Sequence, residues 1–445
     1  MNKLLPIIIS AALGSFSAFT WADNLAQIYD LAKKNDPQLL GQEAARDRAF
    51  ETINSSRSAL LPQINLTGGY TINSSDESVR NSRALSAGVS FSQELYNRSS
   101  WLSLNTTEKE ARVADANYAL AQQSLIMRVS EAYFNVLRAK DNLAFVQSEK
   151  NAVSHQLDQT KQRFDVGLSA ITDVHDAKAQ YDAVLADEIM AKNKLDNSYE
   201  SLREITGQQP TDLSVLDKQR FSTTRPQDSM TKMLTEAEKK NLNLLAGRIN
   251  KDIAKDKIAL ADSKNLPSLT LDGGYKYNRE YDSDYAKYNA FDNHDTKDLN
   301  VGINLSVPLY TGGNISSLSK QAELSYVQAS QNLEAQYRQV VKQVHAFHNN
   351  INASVGAVNA YQQSLVSAKS ALKATQAGFE VGTRTIVDVL DSTRRLYNAK
   401  KNLADARYDY IINVLKLRKA TGTLSEQDIL DINAGLKKAN DQHSE

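Results

Sequence analysis

Asp388 and Asp391 stand three residues apart, and on a helix that spacing sets both carboxylates on one face. Arg394 and Arg395 follow directly, and Arg395, four residues past Asp391 and seven past Asp388, shares that face. Carboxylates so placed can attract and gather cations, or they can simply complement the positive start of a helix. The residues alone leave both readings open. Other spacings are poorer. His345 and His348 are three apart, but no Cys or adjacent carboxylate pair completes a metal set. The Gly-Gly pairs at 68/69, 273/274 and 312/313 lack the Lys-Ser/Thr that completes a phosphate loop, so they read as backbone accommodation. With no Gly-x-Ser-x-Gly elbow and no acid/base pair, the chain reads as a non-enzyme without cofactor or metal. Its 52 basic and 52 acidic residues balance, which gives no field to recruit nucleic acid.

The elements that must hold these residues come in duplicate. Phe164-Asp165-Val166-Gly167 through Asp173-Val174 recurs as Phe379-Glu380-Val381-Gly382 through Asp388-Val389, and the match runs on to Thr206-Gly207 against Thr421-Gly422. Upstream, Leu61-Pro62 through Gly68-Gly69-Tyr70 repeats as Leu266-Pro267 through Gly273-Gly274-Tyr275, and Leu95-Tyr96 as Leu309-Tyr310. The order of features is the same in both halves, which marks a tandem duplication. The offset grows from 205 to 214 between these pairs, placing an insertion around Arg279 to Lys297 that reads as a polar external loop.

Four segments alternate apolar and polar residues, at about 61–73, 85–96, 266–278 and 299–310. Each is close to the length of a tilted transmembrane strand, with one face for lipid and one for water. A soluble half-buried sheet has the same period, so alternation by itself does not choose. Four strands are too few to close a membrane barrel, for which about eight is the smallest common number. Several chains must therefore share one if the strands span a membrane.

Two runs without proline follow the strand pairs, at about 97–163 and 311–378. In the first, Leu125, Ala132, Ala139 and Val146 fall at heptad spacing, as do Val129, Val136 and Leu143. The second is more polar but keeps Val341, Val344, Ala346 and Phe347, then Leu365, Ala368 and Leu372. Shorter return helices follow, the second with pairs at Val389/Leu390, Leu396/Tyr397, Leu403/Ala404 and Tyr410/Ile411. A helix of some 65 residues is about 100 Å long, which suits the wall of a tube and not a globular core. The resulting division is a first repeat over 23–207, an irregular link over 208–240, a second repeat over 241–422 and a C-terminal segment over 423–445. Residues 1–22, with Lys3, the apolar run Leu4 to Leu13 and small residues before Asp23, read as a secretory signal.

Strand pair, long helix and Phe-(Asp/Glu)-Val-Gly turn, duplicated behind such a leader, resemble the TolC family of outer-membrane efflux proteins over essentially the whole mature chain. The resemblance implies a mixed fold: a homotrimer whose transmembrane β-barrel takes four strands from each chain, continued by a long periplasmic α-helical coiled-coil barrel. A mixed belt would surround the helices near the link and the C-terminal segment. The implied function is an exit duct for drug efflux and type I secretion. It would stand in outer-membrane lipid and open at its periplasmic tips when an adaptor (membrane fusion) protein docks with an inner-membrane pump or ABC exporter.

The resemblance also carries roles. Asp388 and Asp391 match carboxylates that line the narrowest point of the lumen, where multivalent cations plug it. Short polar residues are usual where this chain has Arg394 and Arg395, so Arg395 becomes a possible modulator and the pore is expected to be less cation-selective than the family norm. Asp173 and Arg384 match two members of a gate latch whose third, a Tyr, is here Phe379, which has no hydroxyl to donate. Val166, Gly167, Leu168, Val381, Gly382 and Thr383 fall where adaptor hairpins engage. A soluble coiled-coil adaptor would account for the helices but not the strands. A passive porin would account for the strands but not helices of about 100 Å.

Overall fold

A computed structural model of the chain describes residues 24–73, 82–208, 210, 212–281 and 295–437. The expected signal segment lies outside the described residues. The first half runs α1 (Leu25–Asn35), α2 (Pro37–Ser58), β1 (Gln63–Asn73), β2 (Ser82–Tyr96), α3 (Arg98–Asp165) and α4 (Ile171–Thr206). After β3 (Val215–Leu216), the second half runs α5 (Met230–Lys240), α6 (Leu242–Asp262), β4 (Ser268–Tyr281), β5 (Asp295–Ser306), α7 (Asn314–Glu380) and α8 (Ile386–Thr421). Then come α9 (Glu426–Asn433) and β6 (Leu436–Lys437).

The duplication reaches further upstream than the strands. Leu25 and Met230, which open α1 and α5, are separated by the same 205 residues as the strand pairs. Each repeat is thus two helices, two strands, a long helix and a return helix. Among the leading helices α1 carries a buried stripe of Leu25, Ile28, Tyr29 and Ala32 at helical spacing, whereas α2 buries only Leu39 and has no apolar stripe to betray it. What starts it is local: Asp36 accepts from the Leu39 amide at 2.8 Å, and Pro37 occupies the first turn, where no amide is needed. Asp36 is itself buried and gripped by the Arg128 guanidinium at 2.9 and 2.6 Å.

The strands form one antiparallel sheet in the order β1-β2-β4-β5, with β2 and β4 joining the two halves. Its outer strands β1 and β5 are exposed along their whole length, Leu66 at 80 % and Leu299 at 77 %. Three boundaries differ from expectation. Arg279 and Lys297 are not loop but paired strand, and the rest of the expected external loop lies outside the described residues. The fourth strand stops at Ser306, short of Leu309 and Tyr310, because Pro308 has no amide to donate to a ladder. Both long helices begin and end within a turn or so of their expected limits.

Helices α3 and α7 have 68 and 67 residues, about 100 Å each. Leu125, Val129, Ala132, Val136 and Ala139 are buried as their spacing requires, and so are Val389, Leu390, Leu396, Leu403, Ala404, Tyr410 and Ile411 on α8, while Leu143, Val146 and Tyr397 of the same patterns are only half-buried. Helix α7 buries far less of itself. Ala346 is exposed, and Val340, Val344, Ile351, Val355 and Val358 make its contact line.

The main core lies midway along the helices. There the expected irregular link carries β3 and α5, and the C-terminal segment carries α9 and β6. Backbone pairing of Val215 with Lys437 and Leu216 with Leu436 binds the two segments together. Tyrosine hydroxyls pin this belt to the helices: Tyr133 donates to the Ser214 carbonyl at 2.7 Å, and Tyr410 to that of Thr224 at 3.1 Å. Among the described residues no helix is long and apolar enough to cross a membrane.

Candidate functional site at the helix tips

Each long helix ends by the same device. Gly167 and Gly382 take φ of +74° and +78°, a region that costs any other side chain, and nothing lies within 4 Å of where a Cβ would stand. The Leu168 amide then donates back to the Arg163 carbonyl at 2.7 Å, and the Thr383 amide to that of Gly378 at 2.8 Å. Around these turns Val166, Leu168 and Val381 are 69 %, 69 % and 75 % exposed. Each tip therefore presents apolar side chains to water, with Thr383 exposed beside them.

The matched aspartates Asp173 and Asp388 open the return helices in the same way. Asp173 accepts from the Ser169 hydroxyl at 2.7 Å and the Ala170 amide at 3.2 Å. Asp388 accepts from the amide and hydroxyl of Thr385, both at 3.0 Å, and its own amide donates back to that hydroxyl at 3.3 Å. The Thr385 amide above all, then its hydroxyl, hold the Asp388 carboxyl below the usual range, with nearby Arg384 adding to this. It is therefore a capping group that stays ionised.

Asp391 is held differently. Arg394 reaches one of its oxygens at 2.6 Å and Arg395 the other at 2.6 Å. Arg395 engages from the shared face, and Arg394, at i+3, engages equally. Neither arginine has a counterpart in the first repeat, where Ala179 and Gln180 stand at the matching positions. Arg394 also faces Glu149 of α3, whose carboxyl is pushed up by burial and by Asp187 and pulled back by this arginine.

Within the chain Asp173 and Arg384 are not brought together as an ion pair. Asp173 is occupied by its own helix start, while Arg384 lies across Gly378, where a Cβ would stand 2.7 Å from its Cγ. The glycine that makes room for it could have been noticed: it replaces Arg163 of the first repeat. Phe379 is 9 % exposed and sits in a tip core with Val153, Leu157, Ala177, Ile386, Val389 and Leu390. His348 meets Asn352 at 3.4 Å, and no group of three metal-binding side chains occurs among the described residues.

The model of the family described as outer membrane efflux protein matches residues 28–208 and 233–423, which are the two repeats. The chain belongs to the outer membrane efflux protein family. It is 64 % identical to the outer membrane protein TolC of Vibrio cholerae over 99 % of this chain and all of that one. It is 26 % identical to the proteases secretion protein PrtF of Dickeya chrysanthemi, over 98 % and 95 %. The fold matches the outer membrane channel MtrE of Neisseria gonorrhoeae, solved in an open state, with a TM-score of 0.74 at 20 % identity and coverage of 90 % of each chain. Like the efflux proteins it groups with, this chain is an outer-membrane exit duct for efflux and secretion, extending into the periplasm. The relatives are channel proteins, not enzymes.

Proposed function

We propose that three copies of this chain close one β-barrel in the outer membrane and one helical tunnel beneath it, shut at the tips and opened by docking. The observation that carries this reading is the sheet. Its four strands end in two unpaired edges, β1 and β5, with Ile64, Leu66, Tyr70 and Ile72 exposed on one and Leu299, Val301, Ile303 and Leu305 on the other. Pairing β5 of one copy with β1 of the next satisfies both edges and leaves the apolar face to lipid. The long, sparsely buried α7 likewise supplies a face for a neighbouring copy.

At the tips, Asp388 and Asp391 from each copy converge on the lumen as its constriction, with Arg395 and Arg394 beside them. The exposed apolar residues Val166, Leu168 and Val381, with Gly167, Gly382 and Thr383, supply the docking surface for a periplasmic adaptor that recruits an inner-membrane pump or ABC exporter. The latch runs between copies. Arg384 has no ion pair among the described residues, so its guanidinium is available to Asp173 of a neighbour, with Phe379 behind it in the tip core. A charge-assisted bond of this sort contributes about 1.5 to 3 kcal/mol when shielded, and less when exposed.

Oligomeric state, ion selectivity and gating each test the reading. The purified protein in detergent should run as a trimer and conduct in planar bilayers. Asp388→Ala/Asp391→Ala should shift its reversal potential in a salt gradient toward anions by leaving Arg394 and Arg395 uncompensated. A chain that stays monomeric and soluble without detergent rejects the channel, and an unmoved reversal potential rejects the constriction. Arg384→Ala should raise conductance and antibiotic leakage; if neither changes, there is no latch at this residue.

A further inference from the structure

Besides the apolar tip core, a polar contact joins the two hairpins of a single chain at their tips. The Arg163 guanidinium, in the last turn of α3, lies 4.7 Å from the centre of the Phe379 ring, in the last turn of α7. That is well inside the range in which a cation is drawn to the face of an aromatic ring. The ring is almost fully buried, so its other contacts are apolar and dry, and Arg163 is itself half-buried with no ion pair among the described residues. Loss of water on both partners is the condition under which such a contact is strongest.

The two repeats have diverged to make it. Phe164, the counterpart of Phe379, is 40 % exposed, and the counterpart of Arg163 is Gly378. A single arginine therefore reaches from the first repeat to the aromatic ring of the second, and nothing reciprocates. Phe379 supplies its π face to the guanidinium, and a phenylalanine does this with no polar atom to satisfy in the tip core.

We infer that Arg163 and Phe379 form a clasp that holds the second hairpin of each chain against the first, and that opening the tips requires breaking it. This rests on the tips being the gate. Any outward movement of α7 and α8 away from α3 draws the ring from beneath the guanidinium, so the clasp favours the closed arrangement. The competing role for Arg163 is to complement the negative end of α3, which needs the charge but not the ring.

Fluorination of Phe379 separates the two, because it drains the ring face while almost preserving its size. In planar bilayers, channels with one, two and three fluorines at Phe379 should open progressively more, the last raising the open-to-closed ratio about three- to tenfold. In Arg163→Gln, already raised by a similar factor, the same series should be flat. A series that is flat with Arg163 present, or as steep in Arg163→Gln, overturns the clasp. The 19F shift of the labelled ring in detergent reads the contact without any current. Arg163→Gln should move it, and an unmoved shift also overturns the inference. Absence of conductance in every variant, with a shift that still responds, would count against the gate reading and not against the contact.

Discussion

Replacing Arg394 and Arg395 together by threonine should convert a weakly selective pore into a strongly cation-selective one, with block by trivalent cations appearing in the same step. In the present chain both oxygens of Asp391 are taken up at 2.6 Å by the two guanidiniums, and Asp388 is spent on a helix start but remains charged. Two carboxylates thus face two cations in each copy, and the net charge at this level is close to zero. These are exposed pairs, the arginines 58 % and 74 % and Asp391 31 %, so each contributes little to stability. Their effect is on the field. Two like charges about 6 Å apart repel by roughly 0.7 kcal/mol in water and nearer 3 at an effective dielectric of 20. In the proposed trimer, removing the arginines would leave a ring of uncompensated carboxylates that a multivalent cation relieves. A change of about 1.4 kcal/mol in the barrier difference between cation and anion is a tenfold change in permeability ratio. Reversal potentials in a KCl gradient should move accordingly, with Arg395→Thr alone giving an intermediate value. Unchanged selectivity in the double variant would mean that this level does not control the pore. Because Arg394 also offsets the burial of Glu149, part of its single effect should fade as that carboxyl protonates at low pH.

How much of this was readable beforehand depends on whether the signal was periodic or spatial. Heptad residues such as Leu125 and Val136 and the alternating strands announced themselves, because burial on one face imposes a period. The turns did so because a positive φ demands glycine, and Gly167 and Gly382 recur in a duplicated motif. Helix α2 has no apolar period and only its cap, Asp36-Pro37, marks it, whereas α6 buries Leu244, Ile253, Ala254 and Ala261 besides carrying the Asn241 cap. At the site, sequence spacing brought Asp391 and Arg395 together correctly, since both lie on one helix. It had no access to contacts across helices. Arg163 and Phe379 are 216 residues apart in the chain, and that Asp173 caps its own helix shows only in the hydrogen bonds of the folded turn.

The matched glycines Gly207 and Gly422 should respond very differently to alanine, although both end a return helix with φ near +75° (+73° and +77°). At Gly207 a Cβ would meet only the Asn35 side chain, at 3.6 Å, which is ordinary contact. Gly207→Ala should therefore cost only the strain of a left-handed residue, about 1 kcal/mol. At Gly422 the same atom would overlap the backbone joining α5 to α6, 2.5 Å from the Lys240 carbonyl carbon and 2.7 Å from the Asn241 nitrogen, besides the Lys240 oxygen. Backbone cannot swing aside as a side chain can. The joint is also fixed from both directions, since buried Asn241 donates to the Ala420 carbonyl at 2.9 Å and accepts from the amides of Asn243 and Leu244 at the start of α6. Pushing it away adds overpacking of about 1 to 3 kcal/mol and a lost cap of about 1 to the backbone strain, roughly 3 to 5 in all. Denaturant midpoints in detergent should separate Gly422→Ala from Gly207→Ala by most of that difference. Equal losses would mean that the contact between return helix and belt is no tighter in the second repeat than in the first. The reason for expecting inequality is the same divergence that placed Arg163 opposite Gly378: two copies of one design, each fitted to a different neighbour.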